Sequence, residues 1–351
     1  MNETSQSRRA GMSAAELARM LGVTPAAVSY ALRGRPGVSE ALRRRILAAA
    51  DEHGVARPDL EAARGKRPVL GLVLADVGNP FYSELAISVT DAARDRGYEV
   101  FLSHTRDEPE AVAAVIEAMI GHDVSGVLLT AMQFGHAEVL RRLRPAGIPL
   151  VQISRRMGRV DADFVGIDDA LAGAQITDHV LGHGVERVAL VAGPVSSSAS
   201  KGRRDGFRRS LERHGITLRR EWNITGGLNQ ADGARAAKHL LGLDELPEAV
   251  ICGTDAIALG LIDEFARAGV RVPEDLLVTG FDGLAGARTP FVDLTTMVQP
   301  RSAIAAEAVE CVTERRSHPQ GPRREVLCEH RLYIGKSCGC GIGKENAHVG
   351  G

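Results

Sequence analysis

Residues 13–34, "SAAELARMLGVTPAAVSYALRG", hold the pattern that decides the amino-terminal fold. Ser13 with Glu16 three positions later forms a capping box, and Leu17, Ala18 and Leu21 follow at helical spacing, so a first helix runs to Gly22. Thr24 caps a second helix. Pro25 falls at its first position, where a missing N–H costs nothing and the fixed φ suits the helix. Ala27, Val28, Ala31 and Leu32 occupy one side of that helix, leaving Pro25, Ala26, Ser29, Tyr30 and Arg33 on or beside the other. Ser39 then caps a third helix with an inner stripe of Leu42, Ile46 and Ala49 or Ala50, which Gly54 ends. Two short helices with a tight turn, followed by a third, predict a helix-turn-helix unit.

Charge points the same way. Residues 1–66 carry eleven arginines and lysines against seven acids, a net of +4, which leaves −5 for the remainder of a chain whose total is −1. A basic head on an acidic body suits contact with phosphates. The 351 residues suffice for roughly two to three domains with a well-buried core. No apolar run approaches the roughly 18 residues of a membrane helix, and "MNETSQSRRAGMSAAEL" lacks the apolar core of a signal peptide. A cytoplasmic protein that makes no membrane contact is expected. Five cysteines, odd in number and sparse, predict reduced thiols.

"AAELARMLGVTPAAVSYALRGRPGVSEALRRRILAAADEHG", residues 14–54, resembles the DNA-binding head of the LacI/GalR family of bacterial transcription repressors, through "GVT", "VSYALRG" and "GVSEALRRRI". The resemblance implies phosphate contacts from Thr24 and Ser29 and base edges faced by Pro25, Ala26 and Tyr30, with Arg33 on the same side. Ala27 replaces a phosphate-contacting threonine of the family, and Pro25 and Ala26 offer only apolar contacts, so Tyr30 is the main polar reader. The family's hinge, which inserts a leucine into the minor groove, corresponds to "RPDLEAARGKRP". Pro58 fits it; Asp59 replaces an asparagine, Gly65 stands at the leucine position, and Leu60 is a displaced candidate wedge.

From residue 68 onward, short apolar runs alternate with amphipathic stretches. "VLGLVLAD", "YEVFLSH", "VSGVLLTA" and "IPLVQIS" form one βαβ series, and "RVALVAG", "EAVICGTD" and "DLLVTGFD" belong to a second. The expected fold class is an all-α helix-turn-helix head on an α/β, two-lobed body with parallel sheets and a ligand crevice at the strands' carboxyl ends; the family resemblance implies that this body is periplasmic-binding-protein-like. The expected boundaries are a head over 1–57, a hinge over 58–67, a body over 68–340 and a tail over 341–351. Within the body, lobe 1 takes about 68–163 plus 298–323 and lobe 2 about 164–297 plus 324–340.

This half resembles the same family through "ADVGNPFYSEL", "SASKGRRDGF", "AVICGTDAIALG", "VRVPEDLLVTGFD" and "TPFVDLTTMVQP". The resemblance places Asp76, Asn79, Phe81, Arg203, Asp255 and Asp282 at the cleft, with Leu228 at a frequent aromatic position and Thr254 at a usual asparagine. Arg203 offers a planar fork of donors and the aspartates accept from hydroxyls, groups suited to a sugar or related metabolite. Trp222, the only tryptophan, reads as a packing residue at a strand edge rather than a stacking platform.

The tail sequence "CEHRLYIGKSCGCG" spaces Cys328 from His330 and Cys338 from Cys340 by two. If Cys328 to Ile334 is a strand, the first pair shares a face, and four such groups are enough for zinc, yet the spacing matches no standard motif. No metal and no cofactor are expected. No nucleophile elbow, P-loop or dinucleotide fingerprint is present, which argues against an enzyme. The expected function is therefore a dimeric, sequence-specific repressor of double-stranded operator DNA under allosteric control by a small-molecule, carbohydrate-like effector. The alternative is a solute-binding protein without a transcriptional role.

Overall fold

The computed structural model describes residues 12–32, 38–53, 55, 67–130, 141–156 and 161–340. Arg33, Pro58 and Leu60 lie outside these. In the head, α1 (Ala14–Leu21), α2 (Pro25–Leu32) and α3 (Glu40–Glu52) form as the caps dictate. Ser13 and Glu16 close their capping box, and Gly22 ends α1 with φ of 66°, a conformation open to glycine. The Thr24 hydroxyl accepts from Ala27 N at 3.1 Å, and Ser39 caps α3. Arg45 Nη2 donates to the orphan carbonyl of Leu21 at 3.0 Å, tying α3 to the end of α1. The head has its own core of Leu17, Val28, Leu32, Ile46 and neighbouring small residues, separate from that of the body.

The body contains two six-stranded sheets. The first comprises β1 (Val69–Leu74), β2 (Glu99–His104), β3 (Gly126–Leu129), β4 (Leu150–Ile153), β5 (Asp163–Gly166) and β11 (Glu325–Leu327), all parallel, in the order β11-β5-β4-β3-β1-β2. The second comprises β6 (Val188–Ala192), β7 (Asn223–Thr225), β8 (Ala249–Cys252), β9 (Leu277–Asp282), β10 (Thr295–Val298) and β12 (Arg331–Tyr333), ordered β12-β10-β9-β8-β6-β7. Only the edge strand β12 runs antiparallel to its neighbour in that sheet. Central strands such as β3, β4 and β8 are buried along their whole length, as two-sided burial by helices requires.

Those helices are α4 (Pro80–Asp95) and α5 (Pro109–Gly121) in the first lobe, joined by α10 (Arg301–Ser317), which packs on α4. The second lobe carries α6 (Asp169–Leu181) packed on α7 (Ser198–Arg213) and α8 (Gln230–Leu241) packed on α9 (Asp255–Arg267).

The topology moves the expected lobe boundaries. β5 and β11 both belong to the first sheet, so the chain crosses between lobes after Gly166 and again after Leu327, rather than at 163/164 and 323/324. Strands of three or four residues carry too little alternation to mark such crossings. The proposed strand from Cys328 also shortens to Arg331–Tyr333, which leaves Cys328 and His330 in the crossing segment. Trp222 is buried in the body core beneath the Arg219 guanidinium, a packing role.

Candidate DNA-reading face and interlobe cleft

On α2, Val28, Ala31 and Leu32 turn inward, while Thr24, Pro25, Ala26 and Tyr30 are exposed and Ser29 is half-buried. Tyr30, 40% exposed, is the largest side chain on that outer face. The helix therefore offers a small-residue ridge with one phenol, a shape that lets its backbone approach a groove closely. Ala27 is half-buried against the head, so a phosphate contact is not available from its methyl.

The second candidate site forms where strands of both lobes end. Asn79 caps α4: its Oδ1 accepts from Phe81 N at 3.0 Å, while its Nδ2 reaches across to the carbonyl of Leu228 at 3.2 Å. From the second lobe, Arg203 projects from α7. Gly173 and Gly206 allow α6 and α7 to cross closely, because a Cβ at either would strike the other helix's backbone, and this brings Arg203 against Asp169. Arg203 Nε donates to Asp169 Oδ1 at 2.9 Å, and Nη1 donates to Gly253 O at 2.7 Å and Asp282 Oδ1 at 3.2 Å. The guanidinium lies 3.8 Å above the Phe281 ring. Nη2 has no protein partner among the described residues.

Asp282 stands at the end of β9 with φ of 128° and is further fixed by Gln299 Nε2 at 2.7 Å. Burial raises its carboxyl above the usual range against the pull of Arg203, and burial likewise lifts Asp169 to about 6. Asn79, Phe81, Arg203, Leu228, Thr254 and Asp282 thus line one cavity. It encloses about 20 Å³, room for about one water molecule. A larger cavity of about 550 Å³ lies at the amino ends of β4 and β5, away from the strand ends where α/β ligands bind.

Asp76 and Asp255 are not among the cavity residues. Asp76 accepts from Gly78 N at 2.9 Å in the turn that leads to α4. Asp255 is fully buried, its oxygens taken by Leu284 N at 2.6 Å and Thr296 Oγ1 at 2.5 Å. It organises the end of β9 rather than offering an acceptor to the cleft. Gly280 is required there, since a Cβ would collide with the Asp255 carboxylate.

Six lining residues escape the sequence reading: Tyr82, Ser154, Arg155, Ser197, Ala199 and Ser200. Arg155 is buried, pairs with Asp107 at 2.5 Å and lies 5.5 Å from the Tyr82 ring centroid. The Ser154 Oγ is buried with no hydrogen-bond partner among the described residues. The available signal was positional: Ser154 and Arg155 directly follow a wholly apolar-flanked strand, at its carboxyl end. Lobe closure is also held by Arg301, which pairs with Glu84 of α4 at 2.6 Å and donates to Asp282 O at 2.7 Å. Among the described residues no helix is long and apolar enough to cross a membrane.

Comparison with known proteins agrees with this architecture. Residues 15–56 match the family described as bacterial regulatory proteins, lacI family, and residues 67–334 match periplasmic binding proteins and sugar binding domain of LacI family. The HTH-type transcriptional repressor PurR of Glaesserella parasuis is 27% identical over 89% of this chain and 92% of its own. The ribose operon repressor of Escherichia coli is 27% identical over 91% of this chain and 96% of its own. Among solved structures, a transcriptional regulator CelR–cellobiose complex superposes with a TM-score of 0.71 at 25% identity, covering 92% of this chain and 99% of that one. CcpA of Lactococcus lactis shares the fold with a TM-score of 0.71 at 20% identity over 78% of this chain and 99% of its own. With a head and a body that match in order and nearly throughout, the chain is a DNA-binding regulator of the LacI family.

Proposed function

We infer that the protein is a dimeric repressor whose affinity for operator DNA is set by a small carbohydrate bound between its lobes. The observation that carries the effector half is the buried, unsatisfied Ser154 Oγ at a cavity that the Arg203 guanidinium also lines. Buried polar groups without partners are costly unless a ligand supplies them, and a polyol offers hydroxyls that both accept from arginine and bond with serine. The ribose repressor and the cellobiose complex among its relatives agree with that chemistry. Because the closed cavity holds only about 20 Å³, entry of a sugar requires the lobes to part, which must disturb the Asn79–Leu228 and Arg301–Asp282 contacts between them.

Thr24 and Ser29 would then hold phosphates, Pro25 and Ala26 lie against base edges, Tyr30 read sequence and Arg33 add charge, with Pro58 and Leu60 in the hinge. Two heads of a symmetric dimer span half-sites about 34–36 Å apart. The exposed apolar side chains Ile87 on α4 and Phe101 and Leu102 on the adjoining edge strand β2 suit a dimer contact in the first lobe. Coupling is reciprocal: operator DNA must change effector affinity by the factor by which effector changes operator affinity.

The test is a calorimetric titration of pentoses, hexoses and disaccharides into the wild-type chain and Ser154→Ala. One sugar should bind the wild type and bind the variant about tenfold more weakly, the loss of about one hydrogen bond. Absence of binding by every sugar, or equal affinity for the variant, overturns the carbohydrate reading.

A further inference from the structure

The chain end carries a group of side chains that neither the DNA face nor the cleft uses. His179 stands in the last turn of α6 and His183 in the turn that follows it. The segment after β12 makes a short 3-10 turn over Lys336–Cys338, and Gly339, with φ of 81°, swings Cys340 back to the same side. The four donor atoms all lie within 4.8 Å of one another. His179 Nε2 is 3.3 Å from Cys338 Sγ and 3.7 Å from Cys340 Sγ, and His183 Nε2 is 3.3 Å from Cys340 Sγ.

Those three N–S separations are close to the edge lengths of a tetrahedral site. With Zn–S of about 2.3 Å and Zn–N of about 2.0–2.1 Å, tetrahedral angles place N and S ligands about 3.6 Å apart. An ordinary hydrophobic or hydrogen-bonded contact does not converge four soft donors from segments separated by some 160 residues. The two imidazoles meet edge to face, with centroids 5.2 Å apart, so their Nε2 atoms converge without ring stacking.

The surroundings hold the sulfurs in place. Ser337 Oγ accepts from Thr295 N at 2.9 Å and donates to Val278 O at 2.6 Å, pinning the residue before Cys338 to the second sheet. Thr295 Oγ1 donates to Cys338 Sγ at 3.0 Å, the type of outer contact that orients a metal-bound thiolate. Cys338 is buried, whereas His183 and Cys340 are exposed, so an ion has a path from solvent. The residues paired in the sequence reading part company: His330 Nε2 meets Gln175 Oε1 at 2.9 Å, and Cys328 packs against the body core. Cys338 and Cys340 instead find their histidines on α6.

We propose that His179, His183, Cys338 and Cys340 form a structural site for a tetrahedral divalent ion of the zinc class. A two-nitrogen, two-sulfur set selects zinc over hard ions such as magnesium, and four protein ligands leave no open position for chemistry. The ion clasps the chain end to the first helix of the second lobe.

The test uses the full-length chain, reduced and stripped of metal, titrated anaerobically with cobalt(II) and then zinc(II). The expected result is one cobalt per chain, with sulfur-to-cobalt charge-transfer absorption and intense tetrahedral visible bands, displaced by one equivalent of zinc. Cys340→Ser and His183→Gln, both at exposed positions, should each weaken binding at least tenfold, while Cys328→Ser leaves it unchanged. Zinc should also protect two thiols per chain from alkylation. Absence of stoichiometric uptake by the reduced protein overturns the site, as does a Cys340→Ser variant with wild-type affinity or weakening by Cys328→Ser instead.

Discussion

The head and the interlobe cleft hold their candidate site residues in opposite ways. In the head, Tyr30, Pro25 and Ala26 are exposed on a helix whose other face fills a small core, so the proposed reading face and the packed face are different sides of the same eight residues. In the cleft, Arg203 and Asp282 are buried, and the groups that face the cavity also bind the second lobe together. A change to the reading face should alter recognition alone; a change in the cleft should alter ligand binding and stability together.

The largest effect is expected at Arg203. Arg203→Ala leaves Asp169 and Asp282 buried without their cation, which should destabilise the body by about 3–5 kcal/mol in denaturant unfolding. A loss below about 1 kcal/mol would show that the network contributes little. Ile46→Ala, at a fully buried position, should cost the head about 2–5 kcal/mol. Since the two cores are separate, scanning calorimetry should show the head's transition move while the body's stays; a joint shift would break the comparison.

Asp169 gives the comparison a pH dependence. Burial raises its folded value to about 6, above the unfolded range near 4. Between these values the folded chain holds more protons than the unfolded one, so this group's contribution to stability falls as pH rises through that window. Stability of the wild type relative to Asp169→Asn should therefore decline from pH 4 to pH 6, by roughly 1.4 kcal/mol per unit separating the two values. A relative gain over that range would contradict the burial argument.

The smallest stability change belongs to Tyr30→Ala, within about 0.5 kcal/mol because the ring, 40% exposed, lies outside the head core. Its effect on operator preference should be about 1–3 kcal/mol at the base it reads, seen in competition binding against single-base variants. Unchanged preference would remove Tyr30 from the reading role.

The same contrast explains what the sequence revealed. The head is built from caps and stripes within a few residues of one another, so Ser13, Glu16, Gly22, Thr24 and Ser39 mark its helices directly. The cleft was legible where a motif sits at a strand end, as with Asn79 and Asp282, and obscure where a partner comes from afar. Asp169 meets Arg203 only because two glycines let α6 and α7 cross closely. Asp255 carries a family motif yet turns inward, since Leu284 N and Thr296 Oγ1, distant in sequence, claim its oxygens before a ligand can. The short strands β5 and β11 pair with each other across 160 residues of chain, and the lobe crossings they set were misplaced for that reason. The histidine–cysteine group at the chain end was likewise out of reach, because spacing along the tail says nothing of α6.

The most direct test of the whole account is selection of random duplex DNA by the purified full-length protein at moderate salt, followed by measurement of affinity for the enriched site with and without the bound sugar. The account predicts a near-palindromic consensus with half-sites one helical turn apart and an operator affinity that changes with the sugar. Failure to enrich any sequence, in the presence or absence of every sugar that binds, would contradict it.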